Sequence, residues 1–131
     1  MNYKTDWIVE EANFESKLQG KCEAIFCQGN GYMGIRCTTE ESYTGQTRDT
    51  FVAGTFNKFD QNEVTELPNA ADVTAAEIWI DDDLFSLDKG TFSNYSRTLN
   101  LKNGEVCRSF EWTNAKGKSF TFAFNSKVCL W

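Results

Sequence analysis

Histidine is absent from all 131 residues of the chain. Its absence removes the commonest general base, the usual zinc ligand, and the Ser-His and Cys-His nucleophile pairs together. The single proline, Pro68, falls in the least regular stretch, residues 57–76. No apolar run approaches the length needed to cross a bilayer, and the opening Met1-Asn2-Tyr3-Lys4-Thr5-Asp6 lacks the pattern of a signal peptide. A cytoplasmic protein without membrane partners is expected. Basic clusters are missing too: lysine and arginine are scattered singly and the formal net charge is −6, which repels phosphate backbones and argues against nucleic acid as a partner. The five cysteines, Cys22, Cys27, Cys37, Cys107 and Cys129, are odd in number and show no paired CxxC spacing. That pattern suits neither a disulfide framework nor a zinc knuckle. Reduced thiols, mainly buried in the core as small hydrophobes, are expected.

What is present leans toward β structure. The hydrophobic fraction is 40% and aromatics make up 15%, with eleven Phe and four Trp; large flat side chains suit pleated, half-buried surfaces. Apolar runs are short and divided by Gly, Asn, Asp and Lys, as strands are divided by turns. The pattern predicts a short edge strand at Trp7-Ile8-Val9, and a strand over 21–28 with Cys22, Ala24 and Phe26 on one face. A tight turn at Gly29-Asn30-Gly31 leads to a strand over 33–38, then one over 50–56 interrupted by Gly54. Residues 57–76 read as loop. A hairpin spans 77–87 around Asp81-Asp82-Asp83, and a long strand covers 91–101. Lys102-Asn103-Gly104 is a second hairpin signal. Residues 105–112 alternate, placing Val106, Arg108, Phe110 and Trp112 on one face. A connection at 114–118 leads to 119–124, with Phe120, Phe122 and Phe124 aligned, and 128–131 continues in strand-like style. About nine short strands joined by hairpins, with few or no helices, predict a single all-β domain over 1–131, an antiparallel β-sandwich.

Candidate chemistry is sparse. A glycosidase needs two carboxylates across a sugar cleft; Glu10-Glu11 and Glu40-Glu41 are nominal pairs, but adjacent acids rarely face one substrate, and solvated faces are expected. Asp81-Asp82-Asp83 reads as a turn, because neighbouring strand residues point to opposite faces and cannot converge on one cation. Gly29-Asn30-Gly31-Tyr32-Met33-Gly34 spells GxGxxG, yet a strand rather than a helix follows, so the turn reading stands over a phosphate cradle. Trp7, Trp79, Trp112 and Trp131 are nominal sugar-stacking residues, with a core role the expectation for each. No catalytic, cofactor-binding or metal-binding residue is assigned, and no cofactor is expected.

A family likeness runs through several of these segments. The stretch Glu23-Ala24-Ile25-Phe26-Cys27-Gln28-Gly29-Asn30-Gly31-Tyr32-Met33-Gly34-Ile35-Arg36, followed by Glu40-Glu41, resembles the front of glycoside hydrolase family 65, which includes maltose, trehalose and kojibiose phosphorylases. In the same order, Trp7-Ile8-Val9-Glu10, Ala53-Gly54-Thr55-Phe56, Glu66-Leu67-Pro68-Asn69, the run from Tyr95 to Gly104 with Arg97 and Leu99, and Val106-Cys107-Arg108-Ser109-Phe110-Glu111-Trp112 resemble later elements of that region. Cys37 departs from the family's usual Gly after the Arg, and Ser126-Lys127-Val128-Cys129-Leu130 departs from its usual closing pattern.

The resemblance implies part of a sandwich of the galactose-mutarotase type. It also implies a parent enzyme that splits an α-glucosidic disaccharide with phosphate, inverting to β-glucose 1-phosphate, through a helical (α/α)6 barrel. No catalytic residue carries over, because the barrel that holds it in the family has no counterpart in these residues. The expected role is a non-catalytic N-terminal domain or truncated relative. Its partners would be a second copy or a missing catalytic domain, with at most weak carbohydrate contact. The alternative is a stand-alone carbohydrate-binding β-sandwich module.

Overall fold

The computed structural model describes residues 2–129. Ten strands and one short helix follow in chain order: β1 (Asn2–Thr5), β2 (Ile8–Glu11), a 3-10 turn (Ser16–Leu18), α1 (Gln19–Ile25), β3 (Gln28–Gly29), β4 (Met33–Ile35), β5 (Thr50–Val52), β6 (Trp79–Ile80), β7 (Asp83–Leu84), β8 (Thr91–Asn100), β9 (Glu105–Thr113) and β10 (Ser119–Lys127). A five-stranded antiparallel sheet in the order β1-β2-β8-β9-β10 is the platform. A three-stranded sheet, β3-β4-β5, and the two-stranded β6-β7 complete the strands. The all-β antiparallel class is as expected.

The platform's core face is assembled by register. Val9, Leu99, Val106 and Ser126 stand opposite one another across four strands. Two residues along, the row is Glu11, Arg97, Arg108 and Phe124. Beyond it Phe110 faces Phe122, and the last row is Phe92, Trp112 and Phe120. Because strand side chains alternate with period two, these rows share one face. An apolar cluster of Val9, Phe26, Cys37, Leu99 and Val106 lies on one side of the charged row. A second, of Phe85, Leu87, Tyr95, Phe110 and Trp112, lies on the other. Phe85 anchors the second, stacking on Phe122 at 4.4 Å between centroids and meeting Trp112 edge-on at 5.2 Å.

The long hairpins stand where the turn residues put them. Gly104 (φ +67) and Gly117 (φ +78) take the left-handed conformation that glycine adopts cheaply. The Asn114 side chain accepts from the backbone N–H groups of Lys116 and Lys118 at 3.0 Å. Trp112 is core, as expected, and its indole N–H donates to the Lys89 carbonyl at 2.7 Å.

Of the segment read as a strand over 21–28, residues 21–25 belong instead to α1, Phe26 caps it, and only Gln28 is in a strand. Its buried positions, Gln19, Cys22, Glu23 and Phe26, fall at helical spacing, while Ala24 is exposed. The alternation of Cys22, Ala24 and Phe26 was a coincidence of period two inside a 3.6-residue repeat. The first core strand is not an edge: β2 pairs with β8 on one side and β1 on the other. The strand expected over 50–56 stops at Val52, where Gly54 (φ +85) turns the chain. Residues 57–76 are irregular, as expected, with one bridge, Asn57 to Glu66. β10 ends at Lys127; residues 130 and 131 of the last expected strand, Trp131 included, lie outside the described residues. Cys22 and Cys37 are buried thiols, but Cys107 is half-buried and Cys27 and Cys129 are exposed, so the core reading holds for only part of the set.

Candidate functional site

Three of the four acids read as solvated faces, Glu11, Glu40 and Glu41, converge on the core face of the sheet. Glu11, at the end of β2, and Glu41, in the loop after β4, are buried. Each meets an arginine of the charged row. Arg108 is gripped by both oxygens of Glu41, at 2.9 and 2.5 Å, and by Glu40 at 2.7 Å. This bidentate pairing suits the guanidinium fork. The guanidinium also lies over the rings of Phe110 and Phe124, at 5.1 and 4.7 Å. Arg97, 1% exposed, pairs through Nε with Glu11 at 2.9 Å and lies over the Phe26 ring at 4.8 Å. The remaining valence of Glu11 is met by Tyr95, whose hydroxyl donates at 3.1 Å, and by the Gln19 amide at 2.7 Å.

A third pair extends the network. Glu23 of α1 accepts from Arg36 Nε at 3.1 Å and from the hydroxyl of Tyr43. Arg48 ties down the loop that carries the acids, donating to the carbonyls of Thr39, Glu40 and Glu41 and pairing with Asp72 at 3.1 Å. The loop must run close to the sheet to deliver two carboxylates to Arg108, and its backbone carbonyls would otherwise lack donors.

Burial pushes the carboxyls of Glu23 and Glu40 up, with Arg36 and Arg108 respectively opposing the rise. The Cys22 thiol is pushed up to about 11, first by burial and then by its neighbour Glu11; Cys37, by burial, also reaches about 11. Both are inert thiols at neutral pH. Burial raises the Tyr95 phenol. Burial alone would lower Arg108, but Glu41 and Glu40 outweigh it and hold the guanidinium above its ordinary value.

The arrangement pairs these buried charges within the fold. A glycoside-cleaving pair must hold its two carboxyls roughly 5–9.5 Å apart across an open cleft. Glu40 and Glu41 instead share one buried guanidinium, and Glu10 and Glu11 point to opposite faces of β2. Asp81 and Asp82 form the two-residue turn between β6 and β7, both with positive φ (+52 and +68). Asp81 is bound by Lys118 at 2.6 Å, which lowers its carboxyl. Among the described residues no group of three acidic or cysteine side chains is placed to hold a metal ion. The GxGxxG stretch is the β3–β4 turn: Asn30 Oδ1 accepts from the N–H groups of Tyr32 and Met33 at 3.0 and 2.8 Å.

The surface carries the remaining candidates. Trp7, in the turn before β2, and Trp79, on β6, were expected in the core but are 50% and 61% exposed; Lys102 lies over the Trp7 ring at 5.4 Å. An open cleft of about 360 Å³ is lined by Tyr43, Thr44, Glu77, Asp88 and Lys89. A run of exposed apolar side chains, Phe51, Phe56, Phe59 (86%), Val64, Leu67 and Val73, marks the irregular segment.

Arg97 and Arg108 could have been found in the sequence. Each stands in phase with an apolar strand face, between Tyr95 and Leu99 and between Val106 and Phe110. A charge on an apolar face needs a buried counter-charge, and Glu11, two residues after Val9, is in the same phase.

Comparison with known proteins agrees with the fold. Residues 9–129 match the model of the glycosyl hydrolase family 65 N-terminal domain. A kojibiose phosphorylase from Halothermothrix orenii is 42% identical over 125 residues, 95% of this chain and 16% of that protein. A kojibiose phosphorylase from Escherichia coli is 35% identical over 88% of this chain and 15% of its own length. An α,α-trehalose phosphorylase from Thermoanaerobacter brockii is 30% identical over 86% of this chain and 16% of its own. A solved structure assigned as a kojibiose phosphorylase from the human microbiome superposes with a TM-score of 0.82 at 23% identity, over 94% of this chain and 18% of that one. The chain thus spans about one sixth of the length of the relatives it matches. It belongs to glycosyl hydrolase family 65, as an N-terminal domain of that family.

Proposed function

We propose that these residues act as the non-catalytic front module of a family 65 disaccharide phosphorylase, serving packing and assembly. The groups that split an α-glucosidic disaccharide with phosphate lie outside them. One observation carries this reading: the buried acids Glu11, Glu23 and Glu41 are each neutralised inside the fold by Arg97, Arg36 and Arg108. None is left to act as acid, base or nucleophile on a sugar. The exposed apolar run from Phe51 to Val73 is the face on which the rest of such an enzyme, or a second copy, would pack. Five free thiols, two of them exposed, suit a reducing compartment such as the cytoplasm. The purified chain is expected to release no glucose 1-phosphate from kojibiose, trehalose or maltose in the presence of phosphate. Turnover above a protein-free blank would overturn this reading.

The open cleft beside Glu77, Asp88 and Lys89 supports a second reading, a sugar-binding module that works alone. Isothermal titration against α-linked glucose disaccharides and glucans separates the two. Heat of binding favours the second, and silence across the panel removes it.

A further inference from the structure

Arg97 and Arg108 are direct partners across β8 and β9. Like charges so placed repel, and each needs its own anions. The two are served unequally. Both Nη groups of Arg108 are spent on Glu40 and Glu41. Arg97 meets Glu11 through Nε, as an ion pair, but among the described residues none of its three nitrogens has a hydrogen-bond partner. The Phe26 ring covers one face of the guanidinium, and the two thiols that feel its charge, Cys22 and Cys37, are weak acceptors. Native folds satisfy nearly all such buried donors. The same carboxylate has a second unpartnered group at its other oxygen. Gln19, fully buried, donates its amide to Glu11 Oε1 at 2.7 Å, while its own Oε1 has no partner. Donors in want of acceptors and an acceptor in want of a donor therefore flank Glu11. Beside it a cavity of about 140 Å³ lies between the β2–α1 connection and α1. Glu11 and Cys22 form its buried end, and exposed Asn13, Glu15 and Lys21 its mouth. A water takes up roughly 30 Å³ in the liquid, so several fit.

We infer that the junction of α1 with the sheet is a buried solvent site, where water enters by the cavity beside Glu11 and hydrogen-bonds the Nη groups of Arg97 and Oε1 of Gln19. Charge selects water over an anion. In the network Glu11, Glu23, Glu40 and Glu41 face Arg36, Arg97 and Arg108, four carboxylates to three guanidiniums. With all of them ionised, chloride or phosphate would add to the surplus of negative charge. Water is neutral and supplies both the lone pairs that Arg97 needs and the proton that Gln19 needs. A contact made by protein alone would require another acid opposite Arg97, and the fold gives both Glu40 and Glu41 to Arg108 instead. Solvent thus completes the hydrogen bonding that fastens Gln19 of α1 and Arg97 of β8 around one carboxylate.

Crystals of the chain grown with sodium bromide in place of chloride test the site. Water density is expected within about 3.2 Å of the Arg97 Nη atoms and of Gln19 Oε1, with no bromide anomalous peak there. A bromide peak at Arg97 overturns the neutral ligand. Density for no water at either group, or protein atoms alone at hydrogen-bond distance, overturns the site itself. In solution, magnetic relaxation dispersion of water reports molecules held for longer than the protein tumbles. Gln19→Met keeps the length of the side chain and removes the unpartnered acceptor. Its dispersion amplitude should fall below that of the unaltered chain, with circular dichroism unchanged. An equal amplitude in a folded Gln19→Met would show that no long-lived water sits on Gln19, and the inference would fail.

Discussion

Arg108 ties the sheet to the loop that carries Glu40 and Glu41. It takes both oxygens of Glu41, one of Glu40, and two aromatic faces. Removing one partner of a buried ion pair costs far more than the pair itself contributes, because an uncompensated charge stays behind. Arg108→Ala is therefore expected to lower unfolding free energy by roughly 3–5 kcal/mol in urea titrations. The companion change Glu41→Gln removes the charge that Arg108→Ala would strand. The double variant should lose less than the sum of the two single losses, since residues in one network do not add. Strict additivity would mean that the two groups are not coupled. At this scale the sequence was half legible. The alternation of β9 placed Arg108 on the apolar face beside Phe110, but its counter-charges lie 67 and 68 residues away in a loop, and no local pattern announces such a pairing. The same distance hid the role of Glu11, 86 residues from Arg97. Glu40-Glu41 looked like surface because the guanidinium that draws them inward is remote in sequence.

Elements with a strong local signal were readable, and those set by tertiary burial were not. The hairpins at 101–104 and 114–118 follow from Gly104 and Gly117, which take a positive φ, and from Asn103 and Asn114, whose side chains accept from nearby backbone N–H groups. α1 was missed because its seven residues make only about two turns, too short for a helical repeat to stand out, and Gly20 weakens the signal further. Its form is decided by burying Gln19, Cys22, Glu23 and Phe26 against the charged row. The β6–β7 hairpin was foreseen, but its turn is chemically suboptimal. Asp81 and Asp82 both take left-handed φ, and a non-glycine residue pays about 1 kcal/mol or more there. Asp81 is repaid in part by its bond to Lys118. Asp82 is exposed and makes no such bond among the described residues. Asp82→Gly is expected to stabilise the fold by up to about 1 kcal/mol, the Asp-Gly pair being favoured in this turn. Thermal unfolding reads the gain, and a destabilised variant would show that Asp82 makes a contact the turn depends on.

For the whole molecule, opposing carboxyl shifts and two buried thiols shape the dependence of stability on pH. Burial raises Glu23 and Glu40 above 4.5. Between that value and their raised ones, the folded chain holds protons that the unfolded chain has released, so stability increases as pH falls from neutral through this window. Asp72 and Asp81 act in the opposite sense. Burial works against the charge on Asp72, but the N–H and hydroxyl of Thr74 and the Arg48 guanidinium outweigh it; Lys118 lowers Asp81. Their stabilisation is present above 3.8 and is lost as pH falls through their depressed values. Cys22 and Cys37 close the alkaline side: their stability is complete below 9.0, where unfolded thiols ionise, and disappears as pH climbs through about 11. The melting temperature should therefore peak on the acid side of neutral. Glu40→Gln separates this account from general charge repulsion. The amide oxygen still accepts from Arg108 while the titrating group is gone, so the acid-side rise should shrink and the alkaline fall should stay. An unchanged acid-side slope in Glu40→Gln would mean that the carboxyl beside Arg108 does not take up a proton in the folded sheet, and that Glu23 alone drives the rise.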